Sequence, residues 1–374
     1  MHRIGFVLVI LLTACSHLES RHTEWAMTSF IKADSANPIL KPDSSLVFLD
    51  PILQDSVRWA QKDVFNPAAV VRHDTVFLLL RAEDTVGKHA GTSRLGLAWS
   101  IDGLHFSMNR LPVLYPEVDK QLEWEWDGGC EDPRLVQDEN GTYFLTYTAY
   151  DGTKARLFVA SSTDLLHWTK YGSAFEGKYA SEWSKSGSIV SSYASGTPVA
   201  KKINGKYWMY FGDQNIWIAN SDDLIHWTPV LDKTNQKKTE MELRGIAKNF
   251  PELKVVIAPR PKKFDSDLVE SGPPALFTDK GIVLLYNSRN IPSIGDKSLV
   301  EGTYAAGQAL MDRNDPTKQI DRLENYFISP DKPYELSGQV NHVCFLEGLV
   351  HFKGKWFLYY GTADSKIAAA VRKE

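Results

Sequence analysis

The sequence predicts an all-β fold, a five-bladed β-propeller. Three observations carry the prediction. An aromatic-rich strand pattern recurs five times, a turn motif recurs at a step of roughly 60 residues, and a Pro-, Gly- or acid-marked mouth lies upstream of each recurring strand. No amphipathic helical pattern of any length competes with these signals.

The recurring strands are Thr75 to Leu80, Tyr143 to Tyr147, Tyr207 to Phe211, Ile282 to Tyr286 and Trp356 to Tyr360. Turn residues precede each: His73-Asp74, Asn140-Gly141, Asn204-Gly205, Lys280-Gly281 and Lys353-Gly354. Such pairs before an apolar run mark hairpins. The turn motif reads Ala98-Trp99-Ser100-Ile101-Asp102-Gly103-Leu104-His105-Phe106, then Ala160 to Trp168, then Ala219 to Trp227. His105, His167 and His226 share one repeat position, which predicts structural turn histidines and not metal ligands. The mouths are Asn66-Pro67, Asp132-Pro133, Thr197-Pro198, Pro273-Pro274 and Glu347-Gly348. In a propeller the first strand of each blade lines the central axis, so equivalent mouths converge on one funnel. Asn66, Asp132 and Glu347 are therefore expected around a common pocket. A β-sandwich gives no reason for five equivalent mouths.

The N-terminus reads as an export signal. His2 and Arg3 precede an apolar run from Ile4 to Leu12, too short for a spanning helix. Leu12-Thr13-Ala14-Cys15 resembles a bacterial lipobox, with Cys15 as the lipid-modified first residue of the mature chain. Ser16 after that Cys implies the outer membrane by the lipoprotein sorting rule. The expected organisation is a signal over 1–15, a tether over 16–45 and the propeller over 46–374. Cys130 and Cys344 are compatible with a disulfide or with two separate buried thiols. The 11% aromatic content, with 11 Trp and 15 Tyr, suits both a β-rich core and a sugar site. A net charge of -4 without a Lys/Arg stripe speaks against a nucleic-acid partner.

The densest chemistry is Gly128-Gly129-Cys130-Glu131-Asp132-Pro133-Arg134. The Pro after Asp132 predicts an extended backbone there. Two carboxylates at one funnel suit glycoside cleavage, one assisting the leaving group and one activating water. Asp132 and Glu347 are the candidates, with Glu270 beside the fourth mouth as an alternative base. Arg81 and Arg94 are candidate sugar-binding forks, and Asp213 and Asp364 end the second strands of their repeats. Each of these acids alone also fits a solvated turn. No metal-ligand spacing, phosphate-cradling Gly loop or Gly-x-Ser-x-Gly elbow is present, so no cofactor or metal is expected.

The stretches Asn66-Pro67-Ala68, Leu80 to Asp84, Ser93 to Ala98, Gly128 to Arg134, Thr146 to Asp151, Gly272-Pro273-Pro274 and Tyr360 to Asp364 together resemble glycoside hydrolase family 130. These are β-mannoside phosphorylases and β-mannosidases on a five-bladed propeller. The resemblance implies that Asp132 is the general acid, acting through a sugar hydroxyl, and that Asn66, Arg81, Arg94 and Asp364 hold the terminal mannose. Two cations of the phosphorylases are replaced, by Phe277 and Asn287, while acids stand at Glu270 and Glu347. The pattern looks like the hydrolytic, inverting branch, acting on β-1,2-linked mannosides. A phosphorylase and a non-catalytic glycan-binding lipoprotein are the alternatives. The Lys-rich stretch from Asn235 to Phe264 is expected to be a solvated insertion.

Overall fold

The computed structural model describes residues 24–86, 91–232 and 252–373. The fold is all-β, with two four-residue α-helices among the described residues. Its repeating unit is an antiparallel meander. Sheet one contains Asp63–Arg72, Thr75–Glu83, Ser93–Ser100 and Ser107–Met108. Sheet two contains Gly129–Gln137, Tyr143–Tyr150, Ala155–Ser162 and Thr169–Ser173. Sheet three contains Ser188–Ile189, Tyr207–Phe211, Ile216–Ser221 and Trp227–Pro229. In sheet four, Leu268–Ser271 and Leu276–Phe277 together pair with Ile282–Arg289, followed by Tyr304–Met311 and Gln319–Arg322. Sheet five runs Cys344–Phe352, Lys355–Thr362 and Lys366–Lys373, and Ile31–Lys32 from the other end of the chain completes it.

Successive side chains of a strand point to opposite faces, and here both faces are covered. Leu78 and Leu80 enter one core cluster with Val350, Tyr359 and Ile367 of sheet five, whereas Leu79 enters another with Leu135, Leu145 and Tyr147 of sheet two. Phe144 packs with Phe211 and Trp217 of sheet three. Tyr210 and Ile218 pack with Leu284 of sheet four. Val283 and Leu285 pack with Leu346 and Leu358 of sheet five. Each of these five clusters thus joins two consecutive sheets, and one joins the last sheet to the first. The hydrogen-bonded ladders themselves trace no closed ring among the described residues.

The five predicted strands and the histidine turns form as expected. Nδ1 of His105, His167 and His226 lies 2.7, 2.7 and 2.8 Å from Asp102, Asp164 and Asp223, whose other oxygens accept backbone N–H groups. Three sheets share a further device not read from the sequence. A buried acid ahead of the first strand takes a tyrosine hydroxyl from the second strand and a cation from the outermost strand. The sets are Glu125 with Tyr147 and Lys170, Glu335 with Tyr360 and Lys32, and Asp265 with Tyr286 and Arg322.

Three expectations need correction, and one open choice is decided. The third mouth is not Thr197-Pro198. Thr197–Ala200 pairs with Ser191–Ala194 as a hairpin, and Ser188–Ile189 is the strand that pairs with Tyr207–Phe211. The tether ends earlier than residue 45: Met27 is buried, its N–H is 2.8 Å from Gln308 Oε1, and Ile31–Lys32 belongs to sheet five. The insertion is not wholly solvated, since Val255–Ile257 pairs with sheet three and Phe264 is buried, though residues 235–251 lie outside the described residues. Cys130 and Cys344 are separate, buried free thiols. The export signal and Cys15 also fall outside the described residues.

Candidate active site

Three first strands are interrupted at their candidate functional residue. Register shifts fall between Phe65 and Pro67, between Glu131 and Arg134, and between Leu346 and Gly348. A bulge leaves residues out of the ladder and re-aims a side chain. Asn66 and Asp132 both take left-handed backbone, φ 48 and 46. This overturns the extended conformation expected for Asp132. Asp and Asn tolerate that region best among non-Gly residues, and Arg134 holds the re-aimed carbonyl of Asp132 at 2.9 Å. Gly361 makes room for Asn66, because a Cβ there would lie 2.1 Å from Asn66 Oδ1.

The bulges open onto a pocket of about 110 Å³ lined by Asn66, Arg81, Asp132, Lys185, Glu270, Tyr304 and Asp364, with Val340, Val343 and Phe345. Asp132 Oδ1 accepts from Asn66 Nδ2 at 2.9 Å and from Arg81 at 3.1 Å, and Lys185 Nζ is 3.3 Å from Oδ2. Burial raises the Asp132 carboxyl, but Lys185, Arg81 and Arg134 outweigh it and hold it well below the usual range. Arg81 also reaches Glu83 at 2.6 Å and Glu131 at 2.8 Å. Burial pushes the neighbouring Glu131 up to about 7. Glu270 lies across Lys185, 4.0 Å from its nitrogen, and accepts from Ser186 Oγ. Burial raises Glu270 in spite of that lysine.

Asp364 is also pushed up to about 7, chiefly by burial. The folded chain therefore keeps a proton that the unfolded chain releases, so stability from this group falls as pH rises from about 4 to 7. Asp364→Asn is expected to raise the melting temperature at pH 8 by about 2–4 °C and to flatten that part of the profile. A calorimetric pH series parallel to that of the parent would contradict this.

The other predicted residues lie elsewhere. Arg94 is not at the pocket: it is fully buried between Asp84 at 2.5 Å and Asp50 at 2.6 Å, so its fork is already used. Glu347 is fully buried and off the pocket lining, 2.9 Å from Arg134, and burial pushes it well above the usual carboxylate range. Asp213 is half-buried beside the pocket and accepts from Trp183 Nε1 at 2.8 Å. Phe277 pairs with Ile282, seven residues along from Glu270, and stacks under Lys201 and Arg313. Its replacement of a phosphate-binding lysine therefore says nothing about this pocket. Asn287 spends its amide on the backbone of Leu346, at 2.7 and 3.0 Å. Lys185, Ser186, Glu131 and Tyr304 were missed. The small-residue run Lys185-Ser186-Gly187-Ser188 before Ile189-Val190 was the available signal for the first two.

Residues 32–374 match the family model for glycoside hydrolase family 130, described as beta-1,4-mannooligosaccharide phosphorylase. The chain belongs to this family. Among its family 130 relatives is the 1,2-beta-oligomannan phosphorylase of Thermoanaerobacter sp. (strain X514), 30% identical over 321 residues, 84% of this chain and 90% of that one. A glycosyl hydrolase structure from Bacteroides ovatus is 45% identical, covers 94% of this chain and 95% of its own, and superposes with a TM-score of 0.86. Another family 130 structure, 44% identical with a TM-score of 0.87 over 94% of this chain and 95% of its own, comes from work describing family members that are glycoside hydrolases targeting β-1,2-mannosidic linkages in Candida mannan.

Proposed function

We propose that this protein is an exo-acting, inverting β-mannosidase that removes mannose from β-1,2-linked mannosides, with Asp132 as the acid and Glu270 as the base. The observation that carries the reading is the placement of both carboxylates in one pocket, 3.3 and 4.0 Å from the Lys185 nitrogen. Those two oxygens are therefore no farther apart than the sum of those distances, about 7.3 Å. That bound admits a separation at the lower end of the roughly 6.5–9.5 Å that leaves room for water in inverting enzymes. Glu270 is preferred to Glu347 because it reaches the pocket, and its raised affinity for protons suits a base that must take one from water.

Asp132 is ionised in the free protein, whereas an acid must carry a proton. A bound sugar supplies the change. It expels water and strengthens the burial effect, already the largest single influence on this carboxyl, and its hydroxyls compete for Asn66 and Arg81. Hydrolysis is favoured over phosphorolysis by charge. Both pocket cations, Arg81 and Lys185, already face the Asp132 carboxylate, so neither is free to neutralise a phosphate anion.

A second reading, phosphorolysis, is favoured by the naming of the 30% identical relative as a phosphorylase. One assay separates them. β-1,2-Mannobiose is expected to give mannose at the same rate with and without inorganic phosphate, with α-mannose as the first-formed anomer by NMR. Strict dependence on phosphate, with mannose-1-phosphate as product, would overturn the hydrolase.

We further propose that the five sheets are the blades of a propeller. Support comes from the cyclic order of the five core clusters and from Ile31–Lys32 completing the last sheet. Export and lipid attachment at Cys15 belong to the same proposal, motivated by the N-terminal sequence, and they agree with hydrolysis, since a phosphorylated sugar is best made inside the cell.

A further inference from the structure

We propose that Trp183 and Asp213 form the subsite for the leaving-group sugar, the exposed indole face stacking on an apolar face of the ring and Asp213 accepting a hydroxyl hydrogen bond. The proposal rests on the mannoside-cleaving reading above and adds the residues that recognise what the terminal mannose is attached to.

The pocket itself is small. At about 110 Å³ it falls well below the roughly 300–1,000 Å³ of sites that enclose larger ligands, so the second sugar must rest on the rim. The Trp183 segment leads directly to that rim. Lys185, two residues on, lines the pocket, and its carbonyl accepts the Gly212 N–H at 2.9 Å, which ties this segment to the turn carrying Asp213. The charge of Asp213 acts on both Lys185 and Glu270, which places it on the side of the pocket where those two groups stand.

Trp183 is built as a platform. It is 39% exposed beside a polar pocket. Its N–H is pinned to Asp213 at 2.8 Å. Its inner side packs in a cluster with Phe175, Tyr179, Phe211 and Trp217 that leaves only about 10 Å³ of free space, too little for a ligand. Part of the side chain is therefore backed by this cluster and part is open to solvent. A rigid, half-exposed aromatic group binds at low entropic cost, and Asp213 has a second oxygen available beside it.

The test measures binding, so it does not depend on the fate of the bond. In an Asp132→Asn background, affinities for mannose and for β-1,2-mannobiose are measured by isothermal titration calorimetry. Adding Trp183→Ala is expected to weaken mannobiose about tenfold and to leave mannose unchanged. Adding Trp183→Phe, which keeps a flat face, is expected to recover most of the loss. Unchanged mannobiose affinity in the Trp183→Ala protein, or an equal fall for mannose, would overturn the subsite. Failure of the hydrolase reading shows separately, as phosphate dependence of the unmodified enzyme.

Discussion

Asp132→Asn is expected to lower kcat for β-1,2-mannobiose by about 10²–10⁴-fold, the contribution of a positioned general acid. The substitution is conservative for the fold. Asn tolerates the left-handed backbone at this bulge, and its side-chain oxygen can still accept from Asn66 and Arg81. The informative comparison is with 2,4-dinitrophenyl β-mannoside, whose leaving group departs without a proton. If Asp132 supplies that proton, the Asn variant retains most activity on the activated substrate. Glu270→Gln should lose activity on both, because water must be deprotonated whatever leaves. Equal losses on both substrates for Asp132→Asn would sink the acid assignment and make Asp132 a sugar-positioning group.

The largest stability effect is expected at Arg134. Arg134→Ala should destabilise the protein by about 3–5 kcal/mol, as removal of one partner from a buried ion pair does. Glu347 is fully buried, and Arg134 is its ion-pair partner at 2.9 Å. The same guanidinium donates to the carbonyls of Asp132 and Ser271, each at 2.9 Å, so one side chain fastens sheets two, four and five where their first strands approach. Burial already holds a proton on Glu347 in the parent, so parent and variant share the pH slope of this group, and the loss comes from the contacts that Arg134 supplies to Glu347, Asp132 and Ser271. Denaturant titrations at two pH values check this, and a loss below about 1 kcal/mol in the single variant would mean that the pair is not a structural hub.

Much of the fold was legible because the inner strands of the sheets are largely buried on both faces, which leaves near-continuous apolar runs with turn residues between them. The first strands were harder to read. Their mouths are marked by bulges, and a bulge depends on how two strands pair and not on the residues of one strand. That is why the Pro after Asp132 suggested an extended backbone where a left-handed one exists. It is also why Thr197-Pro198 has the sequence marks of a mouth and Lys185-Ser186 does not. A Pro was visible in the sequence, but the pairing of Ser188–Ile189 with Tyr207–Phe211 was not.

At the site, the sequence by itself determined the strands, the histidine turns, and the presence of Asn66, Arg81, Asp132, Glu270 and Asp364 among the candidate site residues. It also carried the family resemblance that the comparison over residues 32–374 bears out. The tertiary structure decided which of those groups meet. Arg94 and Arg81 look alike as strand residues, yet one is locked between Asp50 and Asp84 and the other lines the pocket. Glu347 and Glu270 both precede or end a mouth, yet one is sealed against Arg134 and the other faces Lys185. The physical reason is that charge and burial are properties of neighbours, and in this fold the neighbours of any mouth residue come from other sheets, often more than fifty positions away in the chain.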